Sequence, residues 1–419
     1  MRILLGLAAI SAFVALTAVE AGESVAVPLP PPEAALTAID ERPAVREALA
    51  MQEAAVSRAR ALDVGPHEFT LGGGWHERRV DDEGDFTEWD AFITRGVRLP
   101  GKAGIDRSLG DLELESAAND LADARHGQAL MLLAAWFRWL RAEVDADHDR
   151  EVAETLSRTV GAARRQLELG ETSRMEFELA ETEAARAAAA ATRSLIASKQ
   201  SRRALQTAFP ALPIPREPPR SSQPLVPERA LPEWSALIVE RSHEIRLAEL
   251  ATQRARLRAE RASKDRWPDP TVGLRMLDER DGAEDALGVV VSMPLPGRYR
   301  SALAAESRQE AEAAAARLEM KRREIGEIAQ QDVADAQAAL AGWPNIEKAA
   351  AQAASYLRKA ERAYDLGEIG LATLLISVIS ASETIYEERQ ARLDAQEALA
   401  RLRKDAHELW APEHDDHDH

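Results

Sequence analysis

Residues 287–298 read Leu-Gly-Val-Val-Val-Ser-Met-Pro-Leu-Pro-Gly-Arg. Leu287, Val289, Val291, Met293 and Leu295 alternate with Gly288, Val290, Ser292 and Pro294. In an extended chain one face is then wholly apolar and the other mostly small or polar. The run closes on Leu295-Pro296-Gly297-Arg298, and 196 positions earlier stands Leu99-Pro100-Gly101-Lys102, behind another alternating run. A second echo follows: Leu169-Gly170-Glu171 returns as Leu366-Gly367-Glu368, 197 positions on. A period this long is not that of a solenoid. It reads as a half-molecule built twice.

Each half starts with an Ala/Arg/Glu-rich helical stretch, 43–62 and 232–266. Two strand-like runs, a very long helical stretch, the Leu-Gly-Glu break and a final helix follow in both. Between the halves, residues 210–232 carry eight prolines and predict an extended linker rather than a helix. The expected organisation is a signal peptide over 1–21, a first repeat over 22–209, the linker over 210–232, a second repeat over 233–410 and a His/Asp-rich tail over 411–419.

The other three strand runs have the same character. Val272, Leu274 and Met276 alternate with Gly273 and Arg275; Trp89, Ala91, Ile93, Val97 and Leu99 share a face interrupted by Arg95; Phe69, Leu71, Gly73 and Trp75 form the weakest run. Strands of roughly 9–11 residues with one apolar side suit a transmembrane β-barrel. Two ordinary hairpins on a soluble domain are the alternative. Arg78–Glu88 and Asp278–Asp285 are dense in charge and are expected to be water-exposed loops. Four strands cannot close a barrel, and an open edge in a bilayer leaves backbone groups unsatisfied at several kcal/mol each. A membrane reading therefore requires several chains; three would supply twelve strands.

From Gly101 to Leu169 there is neither a proline nor a strong break. That predicts a helix of about 100 Å at 1.5 Å per residue. The matching stretch from Gly297 to Leu366 contains Gly342-Trp343-Pro344, where a kink or short break is expected. In the last helix, Leu371, Leu374, Val378, Ala381, Ile385, Ala395, Leu399, Leu402, Ala406 and Leu409 follow coiled-coil spacing, with Glu388 and Arg392 breaking the stripe. Met175, Leu179 and Ala187–Ala191 are expected to pack likewise in the first half.

Composition narrows the function. With no cysteine, disulfide scaffolds, cysteine-zinc sites, thiol catalysis and a lipid-modified N-terminal cysteine are excluded. Acidic residues outnumber basic ones by 71 to 53, a formal charge of −18, which argues against nucleic acid as a partner. Arg2, the apolar run Ile3–Val19 and Val19-Glu20-Ala21 read as a signal peptide cleaved after Ala21. The mature chain is thus expected to be exported and to lack a membrane-spanning helix. There is no nucleophile–base pattern, no phosphate-cradling glycine loop and no His-Glu-x-x-His motif, so neither an enzyme nor a cofactor is expected.

The duplicated halves, the strand leading into Pro-Leu-Pro-Gly-Arg-Tyr-Arg (294–300) and Ala-Tyr-Asp-Leu-Gly-Glu-Ile (363–369) resemble the TolC family of outer-membrane efflux channels over nearly the whole mature length. The Trp343-Pro344 pair inside helix is similar to the cation-efflux branch. The resemblance implies a mainly α fold with a small β part: a long α-helical coiled-coil barrel, plus four strands per chain of a trimeric twelve-stranded outer-membrane β-barrel. It implies a homotrimer in outer-membrane lipid, reaching into the periplasm to meet a periplasmic adaptor (membrane fusion) protein and an inner-membrane resistance-nodulation-division pump. The two turns would form the periplasmic tip, with Leu169, Gly170, Glu171, Leu366, Gly367 and Glu368 as adaptor contacts.

Two departures from the family stand out. Acidic residues that many relatives carry about six and nine positions after the second tip glycine are here Thr373 and Ile376. Glu176, with Glu178 beside it, is the candidate for an acidic channel constriction, formed by three chains, that would attract cations. The second departure is the missing lipid-anchor cysteine. At the other end, His414, His417 and His419 sit among Asp and Glu, a donor set suited to Zn²⁺, Cu²⁺, Co²⁺ or Ni²⁺ or else a solvated acidic tail. The leading reading is a passive export channel for metal cations, energised by a proton-driven pump in the inner membrane. Its alternatives are a drug-efflux or type I secretion channel, a periplasmic coiled-coil adaptor or structural protein, and a metal-binding protein acting through the tail.

Overall fold

The computed structural model describes residues 28–219, 221–225, 227 and 229–410. The signal peptide and the histidine tail therefore lie outside the described residues. The duplication is legible element by element. Helix α1 (Pro32–Asp40) answers to α5 (Leu231–Glu240), and α2 (Pro43–Val64) to α6 (His243–Lys264), 22 residues each. The hairpin β1 (Phe69–Val80) and β2 (Gly84–Gly96) answers to β3 (Thr271–Glu279) and β4 (Glu284–Ser292). Helices α3 (Lys102–Leu169) and α7 (Arg298–Asp365) have 68 residues each, and α4 (Arg174–Ala208) and α8 (Leu371–Asp405) have 35 each. At 1.5 Å per residue the long helices span about 100 Å.

The sheet is antiparallel in the order β1-β2-β3-β4, so β2 and β3 join the two repeats. The helices pack as two long hairpins, α3 on α4 and α7 on α8, with α2 and α6 beside the upper parts of α3 and α7. The main core lies around α3, where Leu132, Trp136, Phe137, Trp139 and Leu140 meet Ile39, Leu205, Phe209, Leu393 and Trp410. Trp136 and Trp139 meet edge to face at 5.0 Å, and Trp136 Nε1 donates to the Pro28 carbonyl. These aromatics occupy a place where α1, α3, α4 and α8 converge. Elsewhere alanines such as Ala163, Ala180, Ala329 and Ala336 let helices approach closely.

Several expectations are corrected. The stretch 43–62 lies within the single helix α2, with α1 ahead of it, whereas 232–266 divides at Arg241-Ser242 into α5 and α6. Pro32 and Pro43 sit in first turns, where a missing N–H is harmless. Ser242 ends the extended link after α5 and caps α6, its Oγ accepting from Ile245 N at 3.2 Å. The extended linker stops at Ala230, because Pro232 likewise sits in the first turn of α5. Helix α7 is not interrupted at Pro344. A proline removes one intrahelical bond, and here Trp343 is anchored across the helix pair, its Nε1 donating to Glu388 Oε1 at 3.2 Å. Glu388 therefore does not break the α8 stripe. It is buried in it, bonded to Trp343 and to Arg392. Met175 and Leu179 point outward, and Phe177, Ala180 and Ala184 fill the seam instead.

Candidate functional site: an apolar sheet face and a helical tip

The register assembles the four alternating runs into one surface. Leu71, Ile93, Leu274 and Val289 form one row; Gly73, Ala91, Met276 and Leu287 the next; Phe69, Arg95, Val272 and Val291 the row nearer the helices. The face is open: Leu71 is 79% exposed, Leu287 77% and Val289 73%. Aromatics flank it. Trp75 stands opposite Trp89 towards the hairpin turns, and Phe69, Trp267 and Tyr299 are exposed at the helix end. From Phe69 to Trp75 is about 20 Å along the strand at 3.3–3.4 Å per residue. Arg95, the one charge in these three rows, lies over the Phe69 ring at 5.0 Å and donates to the His67 carbonyl.

The opposite face is polar and pairs its own charges. Arg275 Nε donates to Asp90 Oδ2 at 3.2 Å, and buried Glu88 meets Arg78 and His76, each at 3.2 Å. Phe92 lies over Gly72, whose added Cβ would come 2.4 Å from the ring. This pairing corrects the expected long loops. Several charges of 78–88 and 278–285 pair across the hairpins, as Arg79 does with Asp85 at 2.7 Å and Arg280 with Glu83 at 3.1 Å, and strand pairing runs on almost to the end. The turns shrink to Asp81–Glu83 and Arg280–Ala283. Among the described residues the outer edges, β1 and β4, have no further strand partner.

At the far end both helix pairs turn in the same way. Gly170 (φ 75°) and Gly367 (φ 74°) take the left-handed conformation that glycine tolerates. Glu171 N bonds to the Gln166 carbonyl and Glu368 N to the Ala363 carbonyl, both at 2.8 Å, so each turn ends its helix with the same six-residue closure. Leu169, Met175, Leu366 and Ile376 are left exposed around these turns, Met175 by 76%. The Tyr364 hydroxyl donates to Gln166, tying the two hairpins together just above the tip.

Solved structures share this arrangement. The outer-membrane channel OprN superposes with a TM-score of 0.77 at 15% identity, covering 91% of this chain and 90% of its own. A membrane protein from Pseudomonas aeruginosa gives 0.72 at 18%, covering 89% of each. The outer membrane protein VceC from Vibrio cholerae gives 0.69 at 16%, covering 90% of this chain and 95% of its own. This chain has the outer-membrane channel fold. No family model and no curated protein matches its sequence, so the likeness is one of structure.

Within the channel fold, the two acidic candidates stand in different settings. Glu176 is the third residue of α4 and completes a capping box. Its Oε2 accepts from Ser173 N at 3.3 Å and from Thr172 Oγ1 at 2.9 Å, while Ser173 Oγ accepts from Glu176 N at 3.2 Å. The backbone bond from Ser173, then the Thr172 hydroxyl, hold its carboxyl below the usual carboxylate range. A Cβ at Gly370 would lie 3.6 Å from its Oε1, so the carboxylate also sits beside the start of α8. Glu178 is exposed and pairs with Arg174 at 3.0 Å. The tip residues Leu169, Gly170, Glu171, Leu366, Gly367 and Glu368 all lie in or against the two turns. Sequence reading missed Met175 and Ile376 as apolar surface beside Leu169 and Leu366. Their signal is apolar side chains within a few residues of a glycine turn, where no neighbour of the same chain can cover them.

Among the described residues no helix is long and apolar enough to cross a membrane, and no three His, Asp or Glu side chains are arranged to hold a metal ion. His414, His417 and His419 lie outside the described residues.

Proposed function

We propose that three copies of this chain close a twelve-stranded barrel in the outer membrane and a helical tunnel beneath it, forming the outer-membrane channel of a tripartite efflux system. One observation carries this reading: a four-stranded sheet with an open apolar face, a charge-paired opposite face and two unpartnered edges. A soluble coiled-coil adaptor or scaffold has no use for such a face, which water would penalise. In a bilayer the same face is stabilised, and closure by further strands satisfies the edges. The helical tip, with its exposed Leu169, Met175 and Leu366, is the surface for a periplasmic adaptor, which would link the channel to a resistance-nodulation-division pump in the inner membrane. Protein purified in detergent should run as a heat-dissociable trimer and conduct ions across a planar bilayer. A detergent-independent monomer without conductance overturns the proposal.

We further propose metal cations as the cargo, supported by the His/Asp composition of 411–419; drugs and secreted proteins are the competing classes. Growth of a deletion strain on Zn²⁺, Cu²⁺, Co²⁺ and Ni²⁺, set against drugs and dyes, separates them. Glu176, with Glu178, is proposed as the acidic constriction. Gln at position 176 can still make the capping box, so Glu176→Gln removes the charge while keeping the cap. Single-channel recordings should show weakened preference for cations. Unchanged conductance and selectivity reduce Glu176 to its capping role. Ser173→Ala, which breaks the cap, should cost roughly 0.5–2 kcal/mol of local stability.

A further inference from the structure

Three histidines that the channel reading does not use meet where the two repeats join. His126 comes from α3, His243 opens α6, and His407 follows α8. The His243 and His407 rings lie 4.3 Å apart, His126 and His407 stack at 5.0 Å with an 18° interplanar angle, and His126 and His243 are 6.2 Å apart. They line a cavity of about 160 Å³ together with Arg125, Lys404 and Trp410.

Two of the rings have hydrogen-bond partners, and one ring nitrogen has none. His126 Nε2 lies 3.1 Å from Asp405 Oδ1, and its buried Nδ1 has no hydrogen-bond partner. A proton there would be an N–H with nowhere to donate. His243 Nδ1 lies 3.2 Å from Asn119 Oδ1. His407 has φ 61°, a left-handed conformation in which a histidine is held by its surroundings. We propose that these imidazoles are a proton-released latch: neutral, they close the seam between α3, α6 and the end of α8, and protonation in mildly acidic surroundings opens it.

The groups facing the cluster are of both signs. Burial first, then His243, His126, Lys404 and Arg241, push His407 down to about 2. From α3, Asp123 and Arg125 face it, the latter paired with Asp40; beside His243 stands Glu244; from α8 comes Asp405. Behind Asp405, Asp332 of α7 is pushed up to about 7, by burial and then by Asp405, with Arg401 opposing. The two shifts act oppositely. A histidine held below its ordinary 6.5 stabilises the closed state above that pH and loses this as pH falls. An acid held above 3.8 is relieved as pH falls. A comparison of wild type with a histidine variant cancels the Asp332 contribution.

For one histidine that regains its ordinary value on opening, closing weakens about tenfold between pH 7.5 and 5.5. Hydrogen–deuterium exchange of the full chain, corrected for intrinsic rates, should read this in peptides covering 243–250 and 402–410. His407→Asn suits the test because asparagine tolerates left-handed backbone. The ratio of opening constants, wild type over H407N, should rise about tenfold over that pH range, while peptides at the tip stay level. If H407N is open at both pH values, the Asp332→Asn variant, whose opening carries no Asp332 contribution, should itself show the tenfold rise. A ratio, or in that case an Asp332→Asn opening constant, that does not change with pH overturns the latch.

Discussion

Replacing Asp269 by alanine is expected to destabilise the protein by about 3–5 kcal/mol, the range for breaking a buried ion pair from one side. Lys102 is only 1% exposed. Its ammonium donates to Asp269 Oδ1 at 2.8 Å and to the Trp267 carbonyl at 2.7 Å, and pairs with Asp265 Oδ1 at 2.9 Å. Asp269 also accepts from Leu99 N at 3.0 Å, and its other oxygen lies 2.8 Å from His67 Nε2. Pro66-His67 and Pro268-Asp269 occupy matching places ahead of β1 and β3. The bond between them thus locks the two repeats where the helices feed the sheet. Arg98 reinforces the lock, donating to the Leu62 carbonyl and to Asp106, which Arg261 also holds.

Chemical denaturation of Asp269→Ala, Lys102→Met and the double variant should show a double loss smaller than the sum, since each single change already removes the bond the two share. Burial works to raise the Asp269 carboxyl, but bonds from Lys102, Leu99 N and His67 outweigh it and hold it down at about 2. Its contribution, roughly 2 kcal/mol from that shift, is complete above about pH 4. It fades as pH falls towards 2, and Asp269→Ala should flatten that part of the stability profile. Variants as stable as wild type across this range would leave the junction without an energetic role.

This junction also marks the limit of what the sequence discloses. The repeat, the long helices, the glycine turns and the apolar strand faces are written in local patterns: alternation at Leu287–Leu295, uninterrupted helix formers after Gly101, and Leu-Gly-Glu at each reversal. Lys102 and Asp269 stand 167 positions apart, and neither carries a local sign of burial. The same holds for Glu388, which seemed to spoil a heptad until Trp343 supplied its partner. At 78–88 charge density marks exposure correctly, buried Glu88 aside, but not a loop, because Arg78 pairs with Glu88 and Arg79 with Asp85 across a ladder that runs on to Val80 and Gly84. Of the tip, the turns were legible in Gly170 and Gly367, but the outward aim of Met175 was not: an apolar residue near a helix start fits seam and surface equally well. The capping box was open to reading as Ser173 followed by Glu176, and it gives Glu176 a structural task beside any electrostatic one.

Leu274→Lys tests the functional reading most directly. Leu274 sits in the central row between Ile93 and Val289, half exposed, on the open face. If that face met water, the change would fall within about ±0.5 kcal/mol, as surface substitutions generally do. If it meets lipid, a lysine near the bilayer midplane costs about 2–4 kcal/mol per chain. In a twelve-stranded barrel the three copies are four strands apart, roughly 19 Å at 4.7–4.9 Å per strand. At that distance their costs add, to roughly 6–12 kcal/mol for the assembly. Val290→Lys, one residue along β4 from Val289 and on the polar face, is the control. A cation there costs little stability and alters only what passes through. The trimer should therefore fail to insert or should dissociate at lower temperature in Leu274→Lys, and survive in Val290→Lys with shifted ion selectivity. Equal stability of the two variants would mean that neither face lies in lipid, and the barrel, and with it the channel, would have to be abandoned.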